Sequence, residues 1–320
     1  MVVREHGGAE VLRADEWPDP RPGPGQLLVD VAAAGVNFVD IYHRLGRPPY
    51  DGAVPYVPGS EGAGTVTAVG EGVAGFRPGD RVAWSASPAS YAEQAVVAEQ
   101  SAVRVPAGVG LELAAAVMLQ GMTAHYLCHS TYPVAPGDVV VVHAAAGGVG
   151  LLLTQLVGLR GGVVVATTST EAKAQLAREA GAQHLAGYAD FGAKVQELTG
   201  GSGAAVVYDG VGQATFDASL AALRPRGYMV LYGASSGPVP PFELQRLNTG
   251  GSLFVTRPTL GSYIASRGEL LQRAGDLFSW IEDGRLTVRV GGRYPLAEAG
   301  RAQEDLAGRR TTGKLLLLPG

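Results

Sequence analysis

The stretch from Val139 to Leu156 holds the residues best suited to bind a nucleotide. Four β-branched residues at 139–142 lead into three alanines, the segment Gly147-Gly148-Val149-Gly150 follows, and an apolar helical segment completes it. A strand, tight turn and helix of this kind bring backbone N–H groups and the positive end of a helix against a phosphate. The fingerprint G-x-G-x-x-G is matched except at its first position, which is Ala145. The stretch therefore predicts a dinucleotide-binding turn.

A membrane span is the alternative interpretation of this stretch, because the 21 residues from Val139 to Leu159 carry no charge. Four glycines, a histidine and a glutamine interrupt that run. An isolated helix so rich in glycine and β-branched residues would be unstable. The strand, turn and helix explain the same residues better.

The residues after the second predicted strand, 163–167, indicate the choice of cofactor. An NAD site has a carboxylate about 20 residues past the glycine turn, where it accepts the ribose hydroxyl. Here hydroxyls follow the strand, and the ammonium of Lys173 comes one turn later. Glu171 is the acid nearest to the strand, and we assign it to a capping box with Thr168. Ser169 and Lys173 are therefore predicted to bind the 2′-phosphate of NADPH.

Composition and charge limit the classes of function. With 320 residues, two domains are expected, and a net charge of −4 gives no reason to expect nucleic acid or an anionic membrane surface as a partner. The single cysteine excludes an internal disulfide framework and a multi-cysteine zinc site. The start of the chain shows no signal-peptide pattern, so we expect a cytoplasmic protein.

The elements that must position these residues follow from two patterns. Short β-rich runs at 26–36, 62–70, 80–86 and 90–98 are separated by glycine and proline, which is typical of an irregular antiparallel domain. After a helical stretch that begins near Leu111, strands alternate with helices, which predicts a doubly wound parallel sheet; its six strands are 139–143, 163–167, 184–186, 205–208, 228–232 and 252–256. A helix-rich tail ends in one more strand that starts at Lys314. The predicted fold is α/β, with one domain formed by 1–123 and 260–320 and a Rossmann domain at 124–259.

Two other motifs receive a less favourable interpretation. The segment 233–237 (GASSG) matches the nucleophile elbow of serine hydrolases, but the prolines after it would prevent the helix that the elbow requires. His125 and His129 lie four residues apart on a predicted helix, without the glutamate of the zinc-protease motif and without a second group of ligands. We expect no metal. Asp209, at the end of the fourth strand, is interpreted as a helix cap.

The full set of motifs resembles one family. With the glycine turn and Gln155, the segments that carry this resemblance are 35–40 (GVNFVD), 58–64 (PGSEGAG), 78–82 (PGDRV) and 255–258 (VTRP). Together they are similar to the NADPH:quinone oxidoreductases of the zeta-crystallin type, in the zinc-free branch of the medium-chain dehydrogenase/reductase superfamily. The resemblance covers essentially the whole chain, and it implies a GroES-like domain beside the Rossmann domain.

The resemblance also accounts for missing zinc ligands. Zinc alcohol dehydrogenases of the superfamily carry a cysteine where this chain has Asn37 and a histidine where it has Ser60. Neither residue can hold a catalytic zinc. Hydride transfer without a Lewis acid suits an electron-poor acceptor such as a quinone.

The resemblance assigns roles to individual residues. Asn37 and Thr123 would face the nicotinamide, and Lys314 would close the crevice. Tyr42 matches a position beside the quinone pocket. Bacterial members place a tyrosine four residues after the position of Arg44, where this chain has Pro48, so we include Tyr50, two residues further on, in the pocket. Often they also have a lysine where this chain has Gln120. The remaining predicted cofactor-binding residues are Ala146, Gly147, Gly148 and Val149 for the pyrophosphate, Tyr188 near the 2′-phosphate, and Tyr232, Ser235, Phe254 and Val255 along the crevice.

Two functional alternatives stay open at this point. Reduction of the C=C bond of an enal or enone would use the same apparatus. Eukaryotic members of the family serve as structural lens proteins or bind RNA, although the acidic balance here disfavours RNA. A homodimer is expected as well, because pairing of the apolar sixth strand with its copy would protect the edge of the sheet.

Overall fold

The computed structural model describes the whole chain, Met1–Gly320. It separates into two compact units: Met1–Gln120 with Ile264–Gly320 form the first, and Gly121–Tyr263 form the second. The sequence-based boundaries were drawn a few residues away, near 123 and 260. None of the helices combines the length and the apolar character that a membrane crossing requires.

The amino-terminal part of the chain is mostly strand. Its elements, in order, are β1 (Val2–Val3), a 3₁₀ turn (Ala9–Val11), β2 (Leu12–Arg13), β3 (Gln26–Val36), α1 (Phe38–Arg44), β4 (Glu61–Val69), β5 (Arg81–Ser85), β6 (Gln94–Ala98), a 3₁₀ turn (Glu99–Ser101), β7 (Ala102–Arg104) and α2 (Leu111–Tyr126). A π-helical turn, Leu127–Thr131, follows α2.

The middle of the chain alternates strands and helices. Its elements are β8 (Val139–Val142), α3 (Gly148–Leu159), β9 (Val163–Thr167), α4 (Glu171–Glu179), β10 (His184–Ala186), α5 (Phe191–Thr199), β11 (Ala204–Asp209), α6 (Phe216–Ala221), β12 (Leu223–Leu231), α7 (Gln245–Thr249), β13 (Phe254–Thr256) and α8 (Leu260–Tyr263). The carboxyl-terminal part adds α9 (Arg267–Glu282), β14 (Val290–Pro295), a 3₁₀ turn (Leu296–Glu298), α10 (Ala299–Ala307) and β15 (Lys314–Leu318).

The second unit is a doubly wound sheet, as predicted. Its six parallel strands have the order β10-β9-β8-β11-β12-β13, so the chain reverses its direction across the sheet between β8 and β11. In open α/β sheets, ligands bind beyond the carboxyl ends of the strands at this switch point. The buried faces of these strands and helices form one apolar core that includes Val141, Val165, Phe191, Val207 and Met229.

The first unit is built around a seven-stranded sheet. Its main path is β14-β15-β3-β4-β5-β7, and β6 pairs with β3. Alternate residues of β3, Leu27, Val29 and Val31, are buried in the core of this unit, which matches the period-two pattern of its sequence. The tail returns to this sheet through β15, which pairs antiparallel with β3. The predicted fold class is confirmed.

Two strand predictions for this unit were wrong. Of the run at 90–98 only Gln94–Ala98 is strand, because the backbone N–H groups of Ser90 and Tyr91 donate to Gly59 O (3.4 Å) and Pro58 O (2.9 Å) in a loop. The tail contains a second strand, β14, which the sequence did not suggest. Its two glycines and its terminal proline are residues that usually argue against a strand.

Candidate active site

The loop between β8 and α3 in the second unit has the geometry of a phosphate-binding turn. Gly147 is the extended residue before α3, and no side chain caps the helix. The first N–H groups of a helix have no intrahelical acceptor. In this helix they belong to Gly148, Val149 and Gly150, so three backbone donors at the positive end of a 12-residue helix are available to an anion.

Gly150 is required by the close approach of α3 to the end of β8. A Cβ at this position would lie 2.7 Å from Ala145 Cα and in hard contact with Ala144 O. Ala145, at the position of the first fingerprint glycine, is fully buried. Its N–H donates to Thr167 O at the end of β9 (3.1 Å). The turn therefore fits the pyrophosphate of a dinucleotide, although one glycine of the fingerprint is an alanine.

The segment after β9 offers hydroxyls and a cation, as the sequence suggested. Ser169 is exposed and Lys173 is half-buried on the first turn of α4. The predicted cap of this helix was wrong: the cap is Thr170, whose hydroxyl accepts from Lys173 N (3.3 Å), and Glu171 is the first helical residue. Glu171 contacts Arg178 on the solvent side (3.6 Å). Thus no carboxylate stands at the end of β9 to select NADH.

A buried histidine connects the ends of β8 and β9. The ring of His143 contacts Thr167 Oγ1 (2.8 Å) through Nδ1 and Ser219 Oγ (2.9 Å) through Nε2. Burial lowers its pKa to about 4, and the nearby carboxylate of Asp209 opposes that shift. The histidine is therefore neutral at neutral pH. The ring of Tyr188, a predicted cofactor residue, lies 5.8 Å from that of His143.

The loops after β11 and β12 hold the remaining predicted residues of this unit. The helix cap predicted at Asp209 was wrong: the residue before α6 is Thr215, and Asp209 Oδ1 instead accepts from Val211 N (2.7 Å) and Gly212 N (2.9 Å) in the loop after β11. Tyr232 is half-buried next to Gly210, where a Cβ would lie 2.9 Å from the phenol oxygen. Burial raises the pKa of Tyr232 well above its ordinary value. Ser235 belongs to the same turn, since its N–H donates to Gly210 O (3.2 Å).

Two sequence motifs of this unit do not form the sites that they resemble. The GASSG segment leads into an irregular stretch, and the next helix begins only at Gln245, so there is no nucleophile elbow. The rings of His125 and His129 stack at 4.2 Å, and Cys128 Sγ lies 3.2 Å from His129 Nδ1. No three His, Cys, Asp or Glu side chains of the chain are grouped so that they could hold a metal ion.

Thr123, predicted from the family resemblance to face the nicotinamide, lies in α2, and its side chain is buried, with 8% of the residue exposed.

The second group of candidate residues lies in the first unit, where three neighbouring strands bring charged residues together. Lys314 is the first residue of β15, Asn37 follows the last residue of β3, and Glu61 is the first residue of β4. The register pairs Leu315 with Val36 and Ala34 with Gly62, so the three side chains converge at the same end of the sheet.

These three side chains form a closed, buried set of polar contacts. Lys314 Nζ donates to Asn37 Oδ1 (2.8 Å) and to Glu61 Oε1, and Asn37 Nδ2 donates to Glu61 Oε1 (2.8 Å). The second carboxylate oxygen of Glu61 accepts from Leu119 N (2.7 Å). All three residues are less than 5% exposed. Gly35 leaves room for them, because a Cβ there would lie 2.5 Å from Lys314 Cε.

The ammonium of Lys314 is therefore an internal cation. Burial lowers its pKa to about 7, and the carboxyl of Asp40 opposes that shift. Sequence analysis predicted Lys314 as a cofactor contact; the structure shows it 1% exposed and bonded to Asn37 and Glu61. Its direct effect is to orient the Asn37 amide. Asn37 and Ser60 offer neither a thiolate nor an imidazole to a metal ion.

Asp40 extends this set along α1. Asn37 precedes the helix, and its N–H donates to Asp40 Oδ2 (2.9 Å). Ser60 Oγ donates to Asp40 Oδ1 (2.7 Å), and Tyr91 OH donates to Oδ2 (3.0 Å). Sequence analysis missed Asp40, Glu61 and Tyr91 as site residues. A signal was present for Glu61, because a carboxylate beginning an apolar strand must find a buried partner.

Three aromatic side chains lie together at α1, away from the side of the helix that carries Asp40. The ring of Tyr42 is 6.4 Å from that of Phe38 and 5.7 Å from that of Tyr50. Both tyrosines are half-buried. Tyr50 thus reaches Tyr42 although it lies two residues beyond the position that bacterial relatives use. Gln120 is half-buried, and its Oε1 has no hydrogen-bond partner.

Comparison with known proteins places the chain in a family. Residues 23–136 match the alcohol dehydrogenase GroES-like domain, and residues 148–279 match the family described as zinc-binding dehydrogenase. The chain is 45% identical to a quinone oxidoreductase of Pseudomonas aeruginosa, with 98% of this chain and 97% of the relative covered. The structure of Escherichia coli quinone oxidoreductase complexed with NADPH matches with a TM-score of 0.96, at 41% identity and 99% coverage of both chains. A 2-haloacrylate reductase of a Burkholderia species is 40% identical over 99% of this chain and 98% of its own length.

The chain belongs to the quinone oxidoreductases of the zinc-free medium-chain dehydrogenase/reductase superfamily. This member of the family has an amide at position 37 and a hydroxyl at position 60, and the buried ion pair of Lys314 and Glu61 contacts that amide. The recognition made from the sequence is confirmed.

Substitution of Gly150 tests the fit of the phosphate-binding turn. Gly150→Ala should weaken NADPH binding at least about tenfold, roughly 1.4 kcal/mol, because the new Cβ pushes α3 away from β8. Gly158→Ala on the same helix is the matched control, since its Cβ would meet no atom within 4 Å. It should leave affinity unchanged and stabilise the protein by about 0.5–1 kcal/mol. Calorimetric titration and thermal unfolding measure both effects, and undiminished NADPH affinity of Gly150→Ala would contradict the assignment.

Lys173 tests the choice of cofactor in this family member. Lys173→Glu should weaken NADPH binding at least about tenfold more than NADH binding, because only NADPH brings a 2′-phosphate to the new carboxylate. Lys194→Glu on α5 makes the same change of net charge at another site and should alter neither the affinity for NADPH nor that for NADH. Dissociation constants for both nucleotides, measured by fluorescence quenching, decide the point; equal losses would refute a phosphate role.

Proposed function

We propose that this chain is an NADPH-dependent quinone reductase that transfers hydride to a quinone without a metal. The observation that carries the proposal is the buried set of Lys314, Glu61 and Asn37, which fixes the Asn37 amide and offers no thiolate or imidazole to a metal. The set occurs in a member of the quinone oxidoreductase family that also has the glycine turn. The nearly full-length likeness to a quinone oxidoreductase complexed with NADPH supports the choice of cofactor.

The residues of the second unit would bind and orient the nucleotide. The backbone around Ala146, Gly147, Gly148 and Val149 would hold the pyrophosphate through the free donors of α3. Ser169 and Lys173 would hold the 2′-phosphate, with Tyr188 next to them. Tyr232, Ser235, Phe254 and Val255 would line the path toward the nicotinamide, and Thr123 would face its ring.

The residues of the first unit would define the place of reaction. When bound, NADPH supplies the hydride. Asn37, whose amide is fixed at both ends, would face the nicotinamide, and Tyr42 and Tyr50 would form an aromatic wall for a planar acceptor. A quinone accepts hydride without a Lewis acid, so orientation of the reactants accounts for most of the catalysis. The domain roles proposed from the sequence, a GroES-like catalytic domain and a Rossmann nucleotide domain, follow from this division.

Reduction of an activated C=C bond is the second candidate. It is favoured by one observation, the 40% identity to a 2-haloacrylate reductase over nearly the whole length of both proteins. An α,β-unsaturated carbonyl compound is also an electron-poor hydride acceptor, and it would need the same cofactor site.

A cytoplasmic location belongs to the proposal too, because NADPH is an intracellular reductant.

A panel of acceptors separates the two candidates. With NADPH, 1,4-benzoquinone should be reduced with a kcat/KM at least about tenfold above that for an α,β-unsaturated ketone, and NADH should be a poorer donor in each case. Steady-state oxidation of the nucleotide, followed by its absorbance, gives all four values. If the enzyme reduces the ketone and not the quinone, quinone reduction is ruled out and reduction of C=C bonds is supported instead.

We also propose a homodimer formed through the edge of the parallel sheet. β13 pairs only with β12, and its Phe254 is 49% exposed and stacks on Tyr228 at 4.5 Å. An exposed apolar edge strand is protected when it pairs with its own copy. The three residues that pair with β12 would then lie in the middle of a sheet that continues into the second protomer.

Substitution at the edge tests the proposed dimer. Phe254→Glu should shift the protein toward the monomer, because a charge would be buried at the paired edge. Leu159→Glu is the control, since Leu159 is 46% exposed at the end of α3 and not on the edge strand. Light scattering coupled to size exclusion gives the mass of each variant. A monomeric wild-type protein, or a Phe254→Glu dimer as stable as the wild type, would overturn the dimer.

A further inference from the structure

Asp40 is a buried carboxyl group without a cationic partner. It is 2% exposed, and no lysine, arginine or histidine nitrogen lies within 4 Å of its oxygens. The nearby ammonium of Lys314 is instead in contact with Glu61. Transfer of an unpaired carboxylate from water into a protein interior is costly, and such a group tends to retain its proton. Burial accordingly raises the pKa of Asp40, although three hydrogen bonds to the carboxyl and the charge of Lys314 oppose the shift.

The hydrogen bonds of Asp40 leave one place for that proton. Oδ2 accepts from two groups that act as donors, Asn37 N (2.9 Å) and Tyr91 OH (3.0 Å). Oδ1 has one partner, Ser60 Oγ at 2.7 Å, a normal distance between a hydroxyl and a carboxyl oxygen. A hydroxyl can both donate and accept. A protonated Asp40 would therefore donate from Oδ1 to Ser60 without disturbing the other two bonds.

Ser60 is the member of this group that reaches the surface of the unit. Asn37, Asp40, Glu61, Tyr91 and Lys314 are all buried, whereas Ser60 is half-buried. When Ser60 accepts from Asp40, its own O–H is free to donate away from the interior. The serine thus connects an enclosed acid with the space where a substrate or water can arrive.

We propose that Ser60 and Asp40 form a proton relay that protonates the reduced acceptor. The inference rests on the proposed quinone reductase function. Hydride adds two electrons and one hydrogen to the quinone, which becomes a hydroquinone monoanion. Its oxyanion takes the proton of Ser60 Oγ as the Oδ1 proton of Asp40 passes to Ser60. One O–H bond forms on the product, one breaks on Asp40, and Asp40 is left ionised. One proton from the solvent, the proton that the overall reaction consumes, returns to Asp40 through Ser60 after the product leaves.

The charged and titratable groups around Asp40 are consistent with this role. Lys314, on β15, stabilises the ionised carboxyl after the proton has left. Tyr91 and Tyr56 face Asp40 as neutral phenols, since burial raises the pKa of Tyr56 to about 12 and that of Tyr91 further above its usual value. The guanidinium of Arg44, at the end of α1, lies near both tyrosines. Lys314 is therefore a neighbouring cation for the ionised form of the relay, and the two phenols add no charge.

The test uses two quinones of nearly equal size that differ in the basicity of their reduced form. Tetramethyl-1,4-benzoquinone gives a basic hydroquinone anion that needs a proton donor, and tetrachloro-1,4-benzoquinone gives a weakly basic one. Ser60→Ala should lower kcat for the tetramethyl compound at least about tenfold and for the tetrachloro compound less than about twofold. Ser60→Thr, which keeps a hydroxyl, should restore most of the rate.

The solvent isotope effect supplies a second kinetic measure. With the tetramethyl compound, the wild type should be slower in D₂O, because the transferred proton is replaced by a deuteron. With the tetrachloro compound, which needs no proton donor, the rate of the wild type should be nearly the same in both solvents. Equal losses with both quinones, or none with either, would overturn the relay. If the wild type reduces neither quinone, the proposed function fails instead, so the two failures are distinguishable.

A measurement on the protein without nucleotide addresses Asp40 directly. Carbon NMR of ¹³C-carboxyl aspartate, with Asp40 assigned from Asp40→Asn, should show its carboxyl titrating above the ordinary value of about 3.9. In Ser60→Ala the pKa should rise further, because the variant removes a donor to the ionised carboxyl. If Asp40→Asn does not fold, the resonance that shifts in Ser60→Ala gives the assignment. Because the relay requires a protonated donor, an Asp40 carboxyl that is fully ionised in the wild type at the pH of the kinetic assays would overturn the proposal.

Discussion

The first unit depends on one ion pair that has no access to solvent. Lys314 and Glu61 are 1% and 0% exposed, so each charge is stable there only because the other is in contact. Removal of one partner of such a pair typically costs about 3–5 kcal/mol, since it leaves the other charge buried and uncompensated. The pair therefore constrains the register of β15, β3 and β4, because a shift of one residue would turn one of the side chains to the opposite face of the sheet. The position of Asn37, and with it the start of α1, follows from that register.

The ion pair also defines what kind of chemistry this end of the sheet can support. A metal ion would polarise the oxygen of a substrate directly, whereas an ammonium bonded to Asn37 and Glu61 has its charge largely neutralised by its own partner. What remains is a rigid amide and, beside it, a carboxyl that lacks a counter-charge. Such a site can orient a reactant and exchange a proton, but it cannot activate an unreactive carbonyl group. This favours acceptors that are electron-poor before they bind, as quinones and activated alkenes are.

Much of the fold could be predicted from local sequence patterns, because those patterns are what local structure depends on. The six runs of β-branched residues gave the parallel sheet, and alternation in β3 gave the core face of the other unit. β14 was missed since its stability comes from pairing with β15 rather than from its own composition. The cap of α4 was misplaced by two residues because Thr168 and Thr170 both have the right side chain. In the candidate site, the glycine turn could be predicted because its residues are adjacent in the sequence. Lys314 was predicted to close the cofactor crevice, but its buried contact with Glu61 could not be predicted, since Glu61 is 253 residues away along the chain.

The two units differ in the charge of the polar groups that they bury near their candidate site residues. The first keeps a charged pair, whereas the second keeps His143 neutral between Thr167 and Ser219. With the pKa lowered to about 4 in the folded protein and about 6.5 in the unfolded chain, the unfolded state binds more protons between these values. His143 therefore makes the folded state less stable as the pH falls from about 6.5 to about 4. A neutral ring is sufficient here, because the positive potential that a phosphate needs comes from the backbone donors of α3. The proposed cationic contact to the 2′-phosphate is Lys173, which is half-buried on the first turn of α4.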